Sequence, residues 1–115
     1  MENKKFYHNV YFWLNNPDSE EEKELFLASL KKFLDLSTYA GNTIVSQPAQ
    51  TSRAVVDNSY TFSLMVAFNN KEQHDLYQTE QPHQDFVNEA GHLWKRVQVF
   101  DSFEIWNLNE VQQNQ

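Results

Sequence analysis

The 115-residue chain has no cysteine, two glycines and three prolines. The missing cysteine removes disulfides, thiolate nucleophiles and zinc sites built on sulfur. It also fits a reducing compartment, so a cytoplasmic location is expected. Basic charge is scarce as well: nine Lys and Arg stand against sixteen Asp and Glu, a formal net charge of -7. Such a surface repels phosphate backbones, and no basic stripe offsets it, so nucleic acid is not an expected partner. Long apolar runs are absent too, with nothing near the roughly 20 residues of a membrane span. The apolar run at residues 6–14 contains His8 and Asn9 and lacks a small-residue cleavage site, so it reads as a strand and not a leader. The expectation is one soluble domain over residues 1–106 with a polar tail at 107–115.

Aromatic residues are abundant, at 15% from nine Phe, five Tyr and three Trp. Large rings suit a core, an interface or a pocket. In residues 6–14, His8, Val10, Phe12 and Leu14 alternate with Tyr7, Asn9, Tyr11 and Trp13, the period of a strand. Pro17 followed by Asp18 or Ser19 opens a helix, with Glu20 to Glu22 at its positive end. Either Asp18 with Glu21 or Ser19 with Glu22 could form a capping box. Leu25, Phe26, Ser29, Leu30 and Phe33 then fall at helical spacing. A weaker strand is expected over 38–46, a loop over 47–59 and a cleanly alternating strand over 60–68. Helical pieces over 71–78 and from Pro82 to about Leu93 precede a last strand at 95–103.

This order, β-α-β-β-α-β, predicts an α+β ferredoxin-like protomer, a four-stranded antiparallel sheet with its helices on one face. The other face then presents Tyr7, Tyr11, Trp13, Met65 and Phe100. A second copy packing sheet on sheet is the simplest cover, which predicts a homodimer, a dimeric α+β barrel.

The four histidines, His8, His74, His83 and His92, include no HxH or HxxxH pair. His8, His83 and Asp101 could approach one another as a metal site, but neither metal nor cofactor is the expectation. His74 and His92 are expected on solvated helix faces. Tyr77 closes one helical piece and His83 opens the next, and both can lean toward the sheet. Asp101 falls beside His8 if the first and last strands pair antiparallel, and an imidazole partner for it, His8 or His83, is expected. Histidine, tyrosine and carboxylate in an aromatic cleft supply a base, a phenolic donor and an orienting group. The competing reading is a buried polar network that fixes helix to sheet.

The segments FYHNVYFWL, SYTFSLMVAF, LYQTEQPHQDFV and WKRVQVFD, in this order, resemble the Dabb family, the stress-responsive α/β-barrel domain. The resemblance spans about residues 5 to 103 and implies the same protomer and dimer. The family includes a plant polyketide cyclase that works without metal or organic cofactor. Its catalytic tyrosine and histidine lie six residues apart, as Tyr77 and His83 do, and His8 matches its strand histidine. The resemblance implies a cleft walled by Val10, Phe12, Leu25, Ser29, Leu64, Val66, Phe86, Trp94, Val97 and Val99. Ser29 stands where the cyclase has an aromatic residue and Val87 where it has glycine, so the pocket shape differs. The implied function is a cofactor-independent cyclase or lyase acting on a small aromatic or polyketide-like compound. The alternatives are a non-catalytic stress or ligand-binding dimer and an oxygenase of the dimeric α+β barrel type.

Overall fold

A computed structural model describes residues 4–109. Residues 1–3 of the expected domain and 110–115 of its expected tail lie outside the described residues. The elements are β1 (Phe6–Leu14), α1 (Glu20–Leu36), β2 (Asn42–Ser46), β3 (Phe62–Phe68), α2 (Lys71–Thr79), α3 (Gln81–Ala90) and β4 (Trp94–Phe103). A single 3-10 turn, Gly91–Leu93, links α3 to β4. The strands form one antiparallel sheet in the order β2-β3-β1-β4. The architecture is the ferredoxin-like α+β fold.

Alternation builds the core. Phe6, His8, Val10, Phe12 and Leu14 of β1 are buried together with Phe62, Leu64, Val66 and Phe68 of β3. Against them α1 sets Phe26, Leu30 and Phe33, α2 sets Tyr77, and α3 sets Phe86 and Ala90. Phe26 stacks on Phe62 with centroids 5.5 Å apart and meets Phe12 edge-on at 4.9 Å. A buried aromatic ring of this kind contributes roughly 1.5–3 kcal/mol of transfer free energy.

Capping sets the helix starts. The Ser19 hydroxyl accepts the Glu22 backbone N–H at 3.1 Å. Only half of a capping box forms, because the Glu22 carboxylate instead accepts from Asn16 Nδ2 at 2.9 and 3.1 Å. Asn70 caps α2 by accepting from the Gln73 N–H. Glu80 is extended, at φ -64 and ψ 149, and with Pro82 just beyond it breaks the helical run into α2 and α3. The Glu80 carboxylate accepts from the Ser37 hydroxyl and from the Thr38 N–H at 2.8 Å, tying this break to the end of α1.

Two strands are shorter than the spacing predicts. β2 begins at Asn42, so Tyr39 precedes it and packs against the core. β3 begins at Phe62, where Tyr60 has left the ladder to stack edge-on with Tyr11 at 5.0 Å on the face opposite the helices. No helix among the described residues is long and apolar enough to cross a membrane.

Candidate active site

The cleft exists because β4 is an edge strand. Register places Val97 beside Phe12, Val99 beside Val10 and Asp101 beside His8. The β1 members of these pairs are buried, whereas Val97 and Val99 remain 45% and 41% exposed. The helix layer covers β1 and β3 and stops short of β4. Between them opens a cavity of about 130 Å³, lined by His8, Val10, Phe12, Phe33, Leu64, Tyr77, Gln78, His83, Phe86, Val87, Trp94 and Val99. Pockets for drug-sized ligands run from about 300 Å³, so this one suits a molecule of about one ring.

Four residues expected on this wall lie elsewhere. Leu25 is 55% exposed, because it sits one helical step, about 100°, from the buried Phe26. Ser29 faces α3, where its hydroxyl donates to Glu89 at 3.4 Å. Val66 is packed out of reach inside the core, and Val97 is beyond the cavity on the open edge. Phe33 and Gln78 line the cavity without having been expected there.

His8 is 6% exposed and its Nδ1 lies 2.6 Å from Asp101 Oδ1. A carboxylate can only accept, so the ring hydrogen is on Nδ1 and Nε2 carries the lone pair. Asp101 therefore pairs with His8 and not with His83. Burial lowers the His8 pKa, against the upward pull of the Asp101 hydrogen bond and charge. Burial, followed by the electrostatic influence of the nearby His8 ring, also lowers that of His83. Both rings are thus held neutral near pH 7. Burial pushes the Tyr77 phenol well above its ordinary value, with Glu80 adding to the shift, so it stays protonated and can donate.

Tyr77 and His83 meet edge-on at 5.7 Å, and Phe33 packs against both rings at 5.3 Å. Among the described residues, neither the Tyr77 hydroxyl nor the His83 ring hydrogen-bonds to a protein group. No fully buried polar side-chain atom there lacks a partner, so the Tyr77 hydroxyl reaches the cavity surface. The cleft therefore presents one neutral base and one neutral donor between aromatic walls.

His74 is not on a solvated face. Its ring stacks on Phe6 at 4.3 Å and lies 5.0 Å from the His8 ring. The signal was available: His74, Tyr77 and Gln78 stand at i, i+3 and i+4, one face of α2. Among the described residues His83 does not join His8 and Asp101 in a cluster of metal-ligating groups; a ring nitrogen each of His8 and His74 and a carboxylate oxygen of Asp101 lie within 4.8 Å of one another instead.

Fold and cleft together define a ferredoxin-like α+β protein with an aromatic-walled cavity that Tyr77 and His83 line. A family profile described as the stress responsive A/B barrel domain, Dabb, matches residues 6–104, and the chain belongs to that family. It is similar to a Dabb family protein of ferredoxin-like fold from Mesorhizobium loti, at 18% identity and a TM-score of 0.74, covering 90% of this chain and 99% of that one. It is also similar to a hydroxynitrile lyase from Passiflora edulis, at 12% identity and a TM-score of 0.73, covering 91% and 97%. A dimeric ferredoxin-like protein of unknown function from Thermobifida fusca matches at 12% identity and a TM-score of 0.72, covering 90% and 94%. No curated protein matches the sequence significantly.

Proposed function

We propose that the cleft binds a small aromatic compound bearing a carbonyl group and catalyses proton transfer on it, as a cyclase or lyase that uses no cofactor. In this reading the neutral His83 imidazole removes a proton adjacent to the carbonyl. The electron pair moves onto the carbonyl oxygen, and the Tyr77 hydroxyl donates a hydrogen bond to the enolate that results. His83 then returns the proton to carbon, to the leaving group if a bond has broken, or, where the enolate carbon closes a ring on a second carbonyl of the substrate, to the alkoxide oxygen formed there. Phe33, Phe86 and Trp94 supply ring surface for the substrate.

The observation that carries this reading is the pair of Tyr77 and His83, which face one cavity with no hydrogen-bond partner for either functional group among the described residues. A polar network that only fixes helix to sheet would use those groups internally. The likeness to a lyase of the same fold supports the reaction class but does not supply a substrate.

The test is deuterium exchange at the methyl group of acetophenone in D2O, followed by proton NMR. Catalysed exchange is expected, lowered about a hundredfold or more in His83→Ala and reduced in Tyr77→Phe. Exchange no faster than buffer with the wild-type chain, or unchanged in His83→Ala, contradicts the proposal.

We also infer that a second copy covers the open sheet face. That face carries a row of ring contacts from Trp13 through Tyr60 and Tyr11 to Phe100, with Phe100 59% exposed. The described dimeric state of a protein with this fold supports the same reading.

A further inference from the structure

Two imidazoles meet behind the proposed catalytic pair, and their nitrogen atoms are already sorted. His8 Nδ1–H donates to Asp101 at 2.6 Å, and His74 Nδ1 lies 3.1 Å from Asp75 Oδ1, which can only accept. Each ring therefore keeps its hydrogen on Nδ1 and turns an Nε2 lone pair the other way. Both lone pairs point at one group, the Gln78 amide, whose nitrogen is 3.4 Å from His8 Nε2 and 3.5 Å from His74 Nε2. These are long contacts for hydrogen bonds. Rotating the amide by half a turn would bring its oxygen into the same notch.

We propose that His8 Nε2 and His74 Nε2, with the Gln78 amide oxygen, form a binding site for a divalent transition-metal ion of the zinc class. Borderline ions such as Zn²⁺ favour neutral imidazole nitrogen, and carbonyl-type oxygen can complete the set alongside water. A ligating histidine almost always donates its other ring hydrogen to a carboxylate or carbonyl, which fixes the tautomer and raises the basicity of the ligating nitrogen. Here both rings have that carboxylate partner before any metal arrives. The framework is firm on both sides: His8 is a buried residue of the central strand β1, and His74 and Gln78 sit one turn apart on α2. His74 is in addition held flat against Phe6. Binding would occupy His8 while leaving His83 and Tyr77 to face the cleft.

The test is calorimetric titration of the full chain with Zn²⁺, alongside histidine ring ¹⁵N spectra. A single saturable binding event per chain is expected, abolished in His74→Ala and weakened about 10- to 100-fold in Asp101→Asn. His92→Ala, which alters a residue remote from the notch, should bind as wild type. In the wild-type spectra Zn²⁺ should move the Nε2 resonances of His8 and His74 and leave those of His92 in place. Absence of binding, binding unchanged in His74→Ala, or Nε2 resonances that ignore Zn²⁺ would each overturn the site. The spectra use the unaltered chain, so misfolding of a variant cannot decide the outcome. None of these measurements involves the exchange reaction, so the two proposals stand or fall separately.

Discussion

Asp101 and His8 show how one cross-strand pair can fix the tautomer of a buried ring at a cleft. His8 is buried in the core, and Asp101 is its register partner on the open edge strand. The carboxylate fixes the tautomer and favours the protonated ring, while burial opposes protonation more strongly. Asp101→Asn keeps an acceptor but removes the charge, so the His8 pKa should fall further. A ring NMR titration checks this, and a His8 pKa that stays put or rises contradicts the pairing. The same balance fixes a pH dependence. The native chain holds His8 and His83 below their ordinary value of 6.5, so the unfolded chain binds more protons there. The stability contributed by the neutral rings is fully present above about pH 6.5 and is lost as pH falls through the lowered native values. The urea midpoint should therefore drop between neutral and mildly acid pH, and much of that drop should vanish in a His8→Gln variant.

At the scale of elements, the alternation of β1 identified the cleft-facing residues His8, Val10 and Phe12 directly, because a strand assigns faces by parity alone. Helix α1 was less legible. The family resemblance implied Leu25 and Ser29 in the cleft, and the helical stripe, which holds Leu25, Ser29 and Phe33 alike, could neither exclude those two nor single out Phe33. Pattern also says nothing of a strand's place in the sheet. Val97 and Val99 alternate like core residues yet stay half exposed because β4 is an edge. His74 was missed because it was placed on the solvated face of α2, although its i+3 and i+4 partners are Tyr77 and Gln78. Two substitutions test the element-level account by urea unfolding. Ser19→Ala should cost about 1 kcal/mol, since it leaves the Glu22 N–H without its cap. Phe33→Ala should cost about 3–5 kcal/mol and enlarge the cleft, because this ring packs on Tyr77, His83 and Phe86 together. A loss under 1 kcal/mol at Phe33 would mean that the helix layer closes over the gap.

At the scale of the whole molecule, the sheet has one face that the helices cover except along β4 and one that no helix among the described residues covers. The second face holds a concavity of about 420 Å³ among Tyr11, Trp13, Tyr60, Arg96 and Phe100, with the Arg96 guanidinium 4.1 Å from the centre of the Trp13 ring. Light scattering should give about twice the 13.7 kDa chain mass. Trp13→Asp should shift the chain toward monomer, since it places a carboxylate where desolvation is expected. A wild-type monomer at micromolar concentration would remove the dimer from the account.

The central claim is that Tyr77 and His83 face one ligand in one cleft. Its most direct test is titration of the full chain with acetophenone while the Tyr77 ring and all four histidine rings are followed by NMR. The account expects His83 and Tyr77 to shift together along one saturating curve, with His92 unmoved. Saturable binding that leaves both residues unmoved, or that moves His92 in their place, would put the ligand elsewhere and contradict it.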